Sequence, residues 1–253
     1  MKRCCADLHV HTALSPCASA DMTPPVIVAV ALSEGLQMIA VCDHNSARNA
    51  AAVQEAAATA ERVAGERLTV LAGMEVTTAE ECHVVALFPA AGAAEAAAAE
   101  VSAGLPPVED GYEQFFGEQR VLTADGDEAG HEQLALAMAT PLSVSQVVAL
   151  VHRHGGLALA AHIDRSSFGV IGQLGFFPAD AGFDAVELSR HVAPGSEREE
   201  EFRTHALPIV HSSDAHYPAD IGAVRTTLTV AAPTFSELAL ALHQQEGRSV
   251  ADA

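Results

Sequence analysis

Two histidines one residue apart, His9 and His11, stand near the start of the chain. A carboxylate and a further histidine with the same spacing, Asp214 and His216, stand near its end. In an extended strand residues i and i+2 point to one side, so each pair aims two ligand groups at one place. Imidazole nitrogen and carboxylate oxygen are the donors that zinc, iron and manganese accept. The chemistry expected of these residues is metal binding, with both ends of the chain brought to one site.

The elements that must position them alternate between short β-rich apolar runs and Ala-rich segments of helical period, the pattern of βα units around a parallel sheet. The runs predict strands over Cys4–Val10, Met38–Asp43, Thr69–Glu75, His83–Phe88, Leu157–His162, Ala185–Leu188 and Ile209–Ser213. Helices are expected over Pro25–Glu34, Ala47–Ala64, Ser143–His154, Glu197–His205 and Phe235–Gln245. Residues 90–141 break the alternation and are expected to form an excursion or lid on a single domain spanning 1–253.

Ligand types recur at the carboxyl ends of these strands: His9 and His11, Asp43 and His44, Glu75, His162, Glu187 with Arg190 beyond it, and Asp214 with His216. Loops at that end of a closed α/β barrel carry its chemistry. A single histidine at a strand end is more often a hydrogen-bonded structural residue than a ligand, but the joint pattern has no such ordinary cause. His83 is the exception, standing at the start of its strand. His152, His154, His205 and His243 fall on expected helices and are read as surface or packing residues, His131 as a non-ligand and His211 as a neighbour of the site.

Composition narrows the possibilities. At 253 residues the chain can bury a substantial core. A formal net charge of −20 argues against gripping a long nucleic acid, which needs clustered Lys and Arg. The only lysine is Lys2, so there is no interior lysine for a P-loop, a Schiff base or a metal-bridging carbamate, and any fixed cationic clamp must be arginine. The five cysteines form no CxxC pair and no disulfide framework. No apolar run has signal-peptide or membrane-spanning length, so no membrane association and a cytoplasmic location are expected.

The segments Asp7-Leu8-His9-Val10-His11-Thr12, Cys42-Asp43-His44-Asn45, Gly73-Met74-Glu75-Val76, Ala160-Ala161-His162 and Ser213-Asp214-Ala215-His216 resemble, in order and spacing, the motifs of the PHP family, the polymerase-and-histidinol-phosphatase phosphoesterases. The resemblance implies an α/β fold, a distorted seven-stranded (β/α) TIM-like barrel, with two or three divalent ions (Zn, Mn or Fe) at its mouth. Carried over motif by motif, it gives His9, His11, Glu75 and Asp214 to a first metal. Glu75 bridges to a second, completed by His83 and His162, and His44 and His216 belong to a third. Relatives place an aspartate or histidine five or six residues after the second histidine. Here those offsets hold Pro16 and Cys17, with Asp21 further on, leaving Cys17, Asp21 or a weak third site as alternatives, Cys17 being preferred.

The expected activity is hydrolysis of a small phosphorylated substrate, a nucleotide-like molecule or a phosphorylated metabolite, by a metal-activated water. His216 or Asp43 would donate the proton to the leaving oxygen, and Arg165 and Arg190 would clamp the phosphate. The alternatives are a metal-dependent amidohydrolase or deaminase on a similar barrel, and a non-catalytic metal-binding scaffold.

Overall fold

The computed structural model describes residues 1–203 and 207–251. The seven expected strands are all present: β1 (Lys2–Val10), β2 (Met38–Val41), β3 (Thr69–Thr77), β4 (His83–Phe88), β7 (Leu157–Ala160), β8 (Ala185–Leu188) and β9 (Ile209–His211). Two more, β10 (Thr226–Val230) and β11 (Ser249–Val250), make a nine-stranded sheet in the order β11-β10-β1-β2-β3-β4-β7-β8-β9. Beyond β9 the chain returns to β1: Val10 bridges Ala215, with His11 N donating to Ala215 O at 3.0 Å and Ala215 N to His9 O at 3.2 Å. The result is a nearly closed barrel whose two ends of sequence meet at its mouth.

The sheet is not all parallel. β4 runs antiparallel to both β3 and β7, and β10 antiparallel to β1. Reversal of β4 puts its first residue, His83, opposite Thr77 at the end of β3. That explains the one histidine at a strand start: in a reversed strand the start lies at the mouth.

Alternate residues of the strands fill the barrel. Met38, Ala40, Cys42, Leu71, Val85, Leu87, Leu157, Leu159 and Ala185 form an interior apolar cluster. A second cluster, including Ile39, Val41, Met74, Val84 and Ala86, joins the outer faces to the helices. A side chain at Gly73 would set its Cβ 2.6 Å from Ala86 O, so this close approach of β3 and β4 requires glycine.

The outer helices are α1 (Pro24–Ser33), α2 (Ala50–Ala64), α3 (Ala91–Ser102), α5 (Val144–Arg153), α7 (Glu197–Phe202) and α8 (Phe235–Leu242), with single turns α4 (Tyr112–Phe116) and α6 (Val170–Leu174). His205 and the expected end of the helix beginning at Glu197 lie outside the described residues. Helix α5 starts with a reciprocal capping box between Ser143 and Gln146.

The break in pattern at residue 90 has two different contents. Residues 91–102 are the barrel helix α3, which buries Ala94, Ala97 and Val101. The chain leaves the barrel only after Ser102, as α4 and the hairpin of β5 (Arg120–Leu122) and β6 (Glu128–His131). That strap packs Leu105 and Leu136 on Leu14 and is bonded directly to the mouth loops. Asn49 Nδ2 donates to Thr12 Oγ1 and Arg120 O, while its Oδ1 accepts from Leu122 N.

Candidate metal centre at the barrel mouth

Glu75, at the inner end of β3 and 1% exposed, is surrounded by five imidazoles. Its Oε1 lies 2.7 Å from His83 Nδ1, 3.1 Å from His162 Nε2 and 3.4 Å from His9 Nε2. Its Oε2 lies 3.0 Å from His44 Nδ1 and 3.5 Å from His11 Nε2. Asp214 Oδ1 is 3.0 Å from His11 Nε2 and 3.5 Å from His9 Nε2. On the rim, Cys17 Sγ sits between His44 Nε2 at 3.2 Å and His216 Nε2 at 3.1 Å.

The backbone is bent to achieve this. Asn45, His162 and Asp214 adopt left-handed φ angles of 50°, 28° and 51°, conformations that non-glycine residues hold only when their surroundings enforce them. The enforcing bonds are visible. Asn45 Nδ2 donates to Leu136 O and Met138 O on the strap, and its Oδ1 accepts from Thr77 N. His162 N donates to Glu187 Oε1. Asp7 accepts from Ser213 N, Ser213 Oγ and Gly222 N, tying the approach to Asp214 onto β1.

The hydrogen-bond network fixes which nitrogens carry protons. His9 Nδ1 donates to Glu187, 3.1 Å from Oε1 and 3.2 Å from Oε2. Ser15 Oγ donates to Asp43 Oδ1 at 2.7 Å, so it must accept from His11 Nδ1 at 2.8 Å. In the neutral rings both Nε2 atoms then present lone pairs, and they face each other 3.2 Å apart beside two carboxylates. Such a group of buried electron-rich atoms is repulsive unless a cation lies among them. His83 and His44 reinforce the point, because their Nδ1 atoms approach Glu75 closely yet without the alignment of a hydrogen bond.

Ionisation obeys the same logic. Burial opposes charge on His9, but the carboxylates of Glu187, Glu75 and Asp214 more than offset it and raise its pKa well above the usual value. A divalent cation bound there would displace that proton. Burial likewise opposes charge on Glu75, yet His83, His9 and their neighbours hold it well below the carboxylate range. Burial pushes the Cys17 thiol up, and its bonds to His216 and His44 outweigh that, bringing it down to about 6.

Among the described residues, three groups of donors could each hold an ion, with ligand atoms all within 4.8 Å of one another: His9, His11, Glu75 and Asp214; His44, Glu75 and His83; and His11, His44 and His216. His162 joins the second through Glu75 Oε1, and Cys17 adjoins the third. Asp21 is exposed, and its described hydrogen bonds are made by its backbone: its N donates to Ser19 Oγ and its O accepts from Thr23 N.

Other expected residues fall elsewhere. Asp43 directs both oxygens at Thr12 and Ser15 and shapes the loop rather than facing the cluster. Arg165 donates to Asp214 Oδ2 at 2.7 Å, on the rim. Arg190, by contrast, pairs with Asp220, and none of its described bonds reaches the cluster. His131 pairs with Glu113 and Glu128, and His211 with Glu199. The residue that sequence reasoning undervalued is Glu187, which stands at a strand end but acts through His9 and His162. Its position was a signal; its partners were not.

The PHP-domain model matches residues 7–173, and the model of a PHP-associated region matches residues 198–247. The chain belongs to the PHP-domain family. Members of this family are metal-dependent hydrolases, and the His, Glu and Asp groups at the mouth are suited to divalent ions. No curated protein sequence matches the chain.

Among solved structures, the lesion-specific endonuclease EndoQ of Pyrococcus furiosus superposes with a TM-score of 0.70 at 18% identity, covering 98% of this chain and 58% of that one. Endonuclease Q bound to a 27-mer duplex with an abasic lesion at its active site gives 0.68, at the same identity and coverage. A protein of Bifidobacterium adolescentis described as a metal-dependent phosphoesterase gives 0.53 at 23% identity, covering 83% of this chain and 87% of that one. At these identities the likeness is one of fold, and the chain spans little more than half the length of endonuclease Q.

One expectation is overturned. The net charge of −20 argues against binding a long nucleic acid, yet a protein of this fold holds duplex DNA at its active site. Net charge sums a whole surface, whereas what a mouth admits depends on local arginines and bound cations. Among the described residues no helix is long and apolar enough to cross a membrane.

Proposed function

We propose that this chain hydrolyses a phosphate ester at the barrel mouth, the substrate being nucleotide-like or a phosphorylated metabolite. The observation that carries the reading is Glu75, one carboxylate contacted by five imidazoles from four different segments. His9, His11, Glu75 and Asp214 would hold one ion, and Glu75, His83 and His162 a second. His44, His216 and Cys17 would hold a third. Ions bound there supply an activated water and a counter-charge for the phosphoryl oxygens.

The chain's own residues do the rest. Glu187 keeps the His9 ring turned so that Nε2 faces the cluster. Arg165, held at the rim by Asp214 and about one-third exposed, offers its remaining donors to a phosphate. With the third group empty, protonated His216 on the solvent side of the cluster would pass its Nε2 proton to the leaving oxygen; as a ligand of a third ion it would have none to give, since Nδ1 donates to Asp214 O. Asp43 has no such access and is read as a positioning residue. The amidohydrolase alternative gains nothing from the site, since the carboxylate at the centre of the cluster is Glu75 and the single lysine is exposed at the start of β1.

A phosphodiester in DNA is the second reading, favoured by the duplex that endonuclease Q binds. The test is turnover by purified protein supplied with zinc or manganese, on an aryl phosphate, a mononucleotide panel and an abasic-site duplex. His9→Ala is expected to fall to background on whichever ester is cleaved while retaining its circular dichroism. Undiminished turnover by that variant would sink the assignment.

A further inference from the structure

The loop after His162 carries an aromatic ring that the metal centre does not require. Phe168 lies 4.5 Å from the His83 ring with planes 20° apart, and its carbonyl accepts from His83 N at 2.8 Å. Its backbone is left-handed, at φ 62°, which is unusual for a bulky side chain. Although stacked on one face, it remains 43% exposed.

The loop is tightly built. A Cβ on Gly169 would meet Arg165 O at 2.5 Å, and one on Gly172 would meet Ser166 O at 2.4 Å. The turn is therefore wound against itself, and it presents two groups three residues apart: the Arg165 guanidinium on Asp214 and the Phe168 ring on His83. Here a left-handed residue holds a half-exposed ring beside a guanidinium at the rim of the metal centre, and backbone outliers of this kind cluster at ligand clamps.

We propose that Phe168 is a stacking platform for a nucleobase, so that one loop receives both halves of a nucleotide: phosphate at Arg165 and base at Phe168. This deepens the phosphoesterase reading and rests on it for the phosphate half. Every nucleobase has a π-face, so the platform selects for the presence of a base rather than its identity. The base could belong to a free nucleotide or to an unpaired position in a polymer.

Two measurements test this. The first compares kcat/KM for adenosine 5′-monophosphate and ribose 5-phosphate, which share phosphate and sugar. The wild type is expected to favour the nucleotide by roughly 5- to 150-fold, the range of one base–aromatic stack. F168L should abolish that ratio, chiefly through KM for the nucleotide. F176L, at an exposed phenylalanine with no described ring contact, should preserve it. If F168L lowers turnover of both esters equally, the ring serves only to hold His83 and the proposal fails.

The second measurement does not depend on turnover. The chain contains no tryptophan, so F168W introduces a single indole reporter. Its fluorescence should be quenched by adenosine 5′-monophosphate and not by ribose 5-phosphate. Equal quenching by both, or by neither, overturns the platform. Base-specific quenching without hydrolysis of either ester would uphold the platform and remove the phosphoesterase reading instead. Tighter quenching by a single-stranded oligonucleotide than by the free nucleotide identifies a polymer as the source of the base, and the reverse identifies the mononucleotide.

Discussion

Glu187 makes the sharpest test of how the mouth is organised, because it touches the cluster only through other residues. Glu187→Gln keeps the shape and removes the charge. Three contacts are at stake: the two from His9 Nδ1, at 3.1 and 3.2 Å, and the one from His162 N at 3.1 Å. A hydrogen bond to a charged group contributes about 1.5–3 kcal/mol. Loss of a carboxylate that orients a ligating histidine weakens metal binding about 10- to 100-fold, or about 1.4–2.7 kcal/mol. The two estimates agree, so the expected loss lies in that range. The assay is competition of metal-free protein against a fluorescent zinc chelator, with thermal melting of the metal-free form beside it. A structural role alone would lower the melting temperature without changing affinity in the folded protein. If Glu187→Gln binds zinc as tightly as the wild type, the inference that His9 must be oriented from behind is wrong.

Three further outcomes rest on the same geometry. Stripping metal with a chelator should lower the melting temperature by roughly 5–10 °C, since ions at a hundredfold excess over Kd stabilise by about 2.7 kcal/mol; an unchanged melt would mean the clustered carboxylates need no cation. In the metal-free protein, alkylation of Cys17 by iodoacetamide should rise through about pH 6 rather than near 9, because the thiolate is favoured over the thiol above the lowered pKa. Saturating zinc should protect the thiol if it is a ligand, whereas equal rates with and without zinc would exclude Cys17 from the third group. Asn49→Ala removes three hydrogen bonds, to Thr12 Oγ1 and Arg120 O and from Leu122 N, and at about 1 kcal/mol each should cost about 3 kcal/mol in urea unfolding; no loss would show that the strap is fastened elsewhere.

Legibility in the sequence tracked how local the cause was. All seven expected strands are present, β4 and β8 with the bounds read from pattern, because short apolar runs bounded by turn residues depend on few distant contacts. Helix α3 escaped notice because its buried stripe is built largely of alanine, Ala94 and Ala97 with Val101, against an Ala-rich background. Strand β10 could have been found: Thr226, Leu228 and Val230 alternate as buried residues, although Thr and Pro around them read as loop.

Of the site, the sequence by itself determined the inventory: which ligand-type side chains exist, that the strand-borne ones sit near strand ends, and that no interior lysine or long basic run competes with them. Tertiary structure decided the rest. Reversal of β4 brings His83 to the mouth, the pairing of Ala215 with β1 joins Asp214 to His9, and the packing of strands selects Glu187 over Arg190 as a neighbour of the cluster. The physical reason is range. Side-chain type and strand period are properties of a few consecutive residues, whereas the distance between His11 and Asp214, 203 positions apart, is set by the closure of the whole barrel.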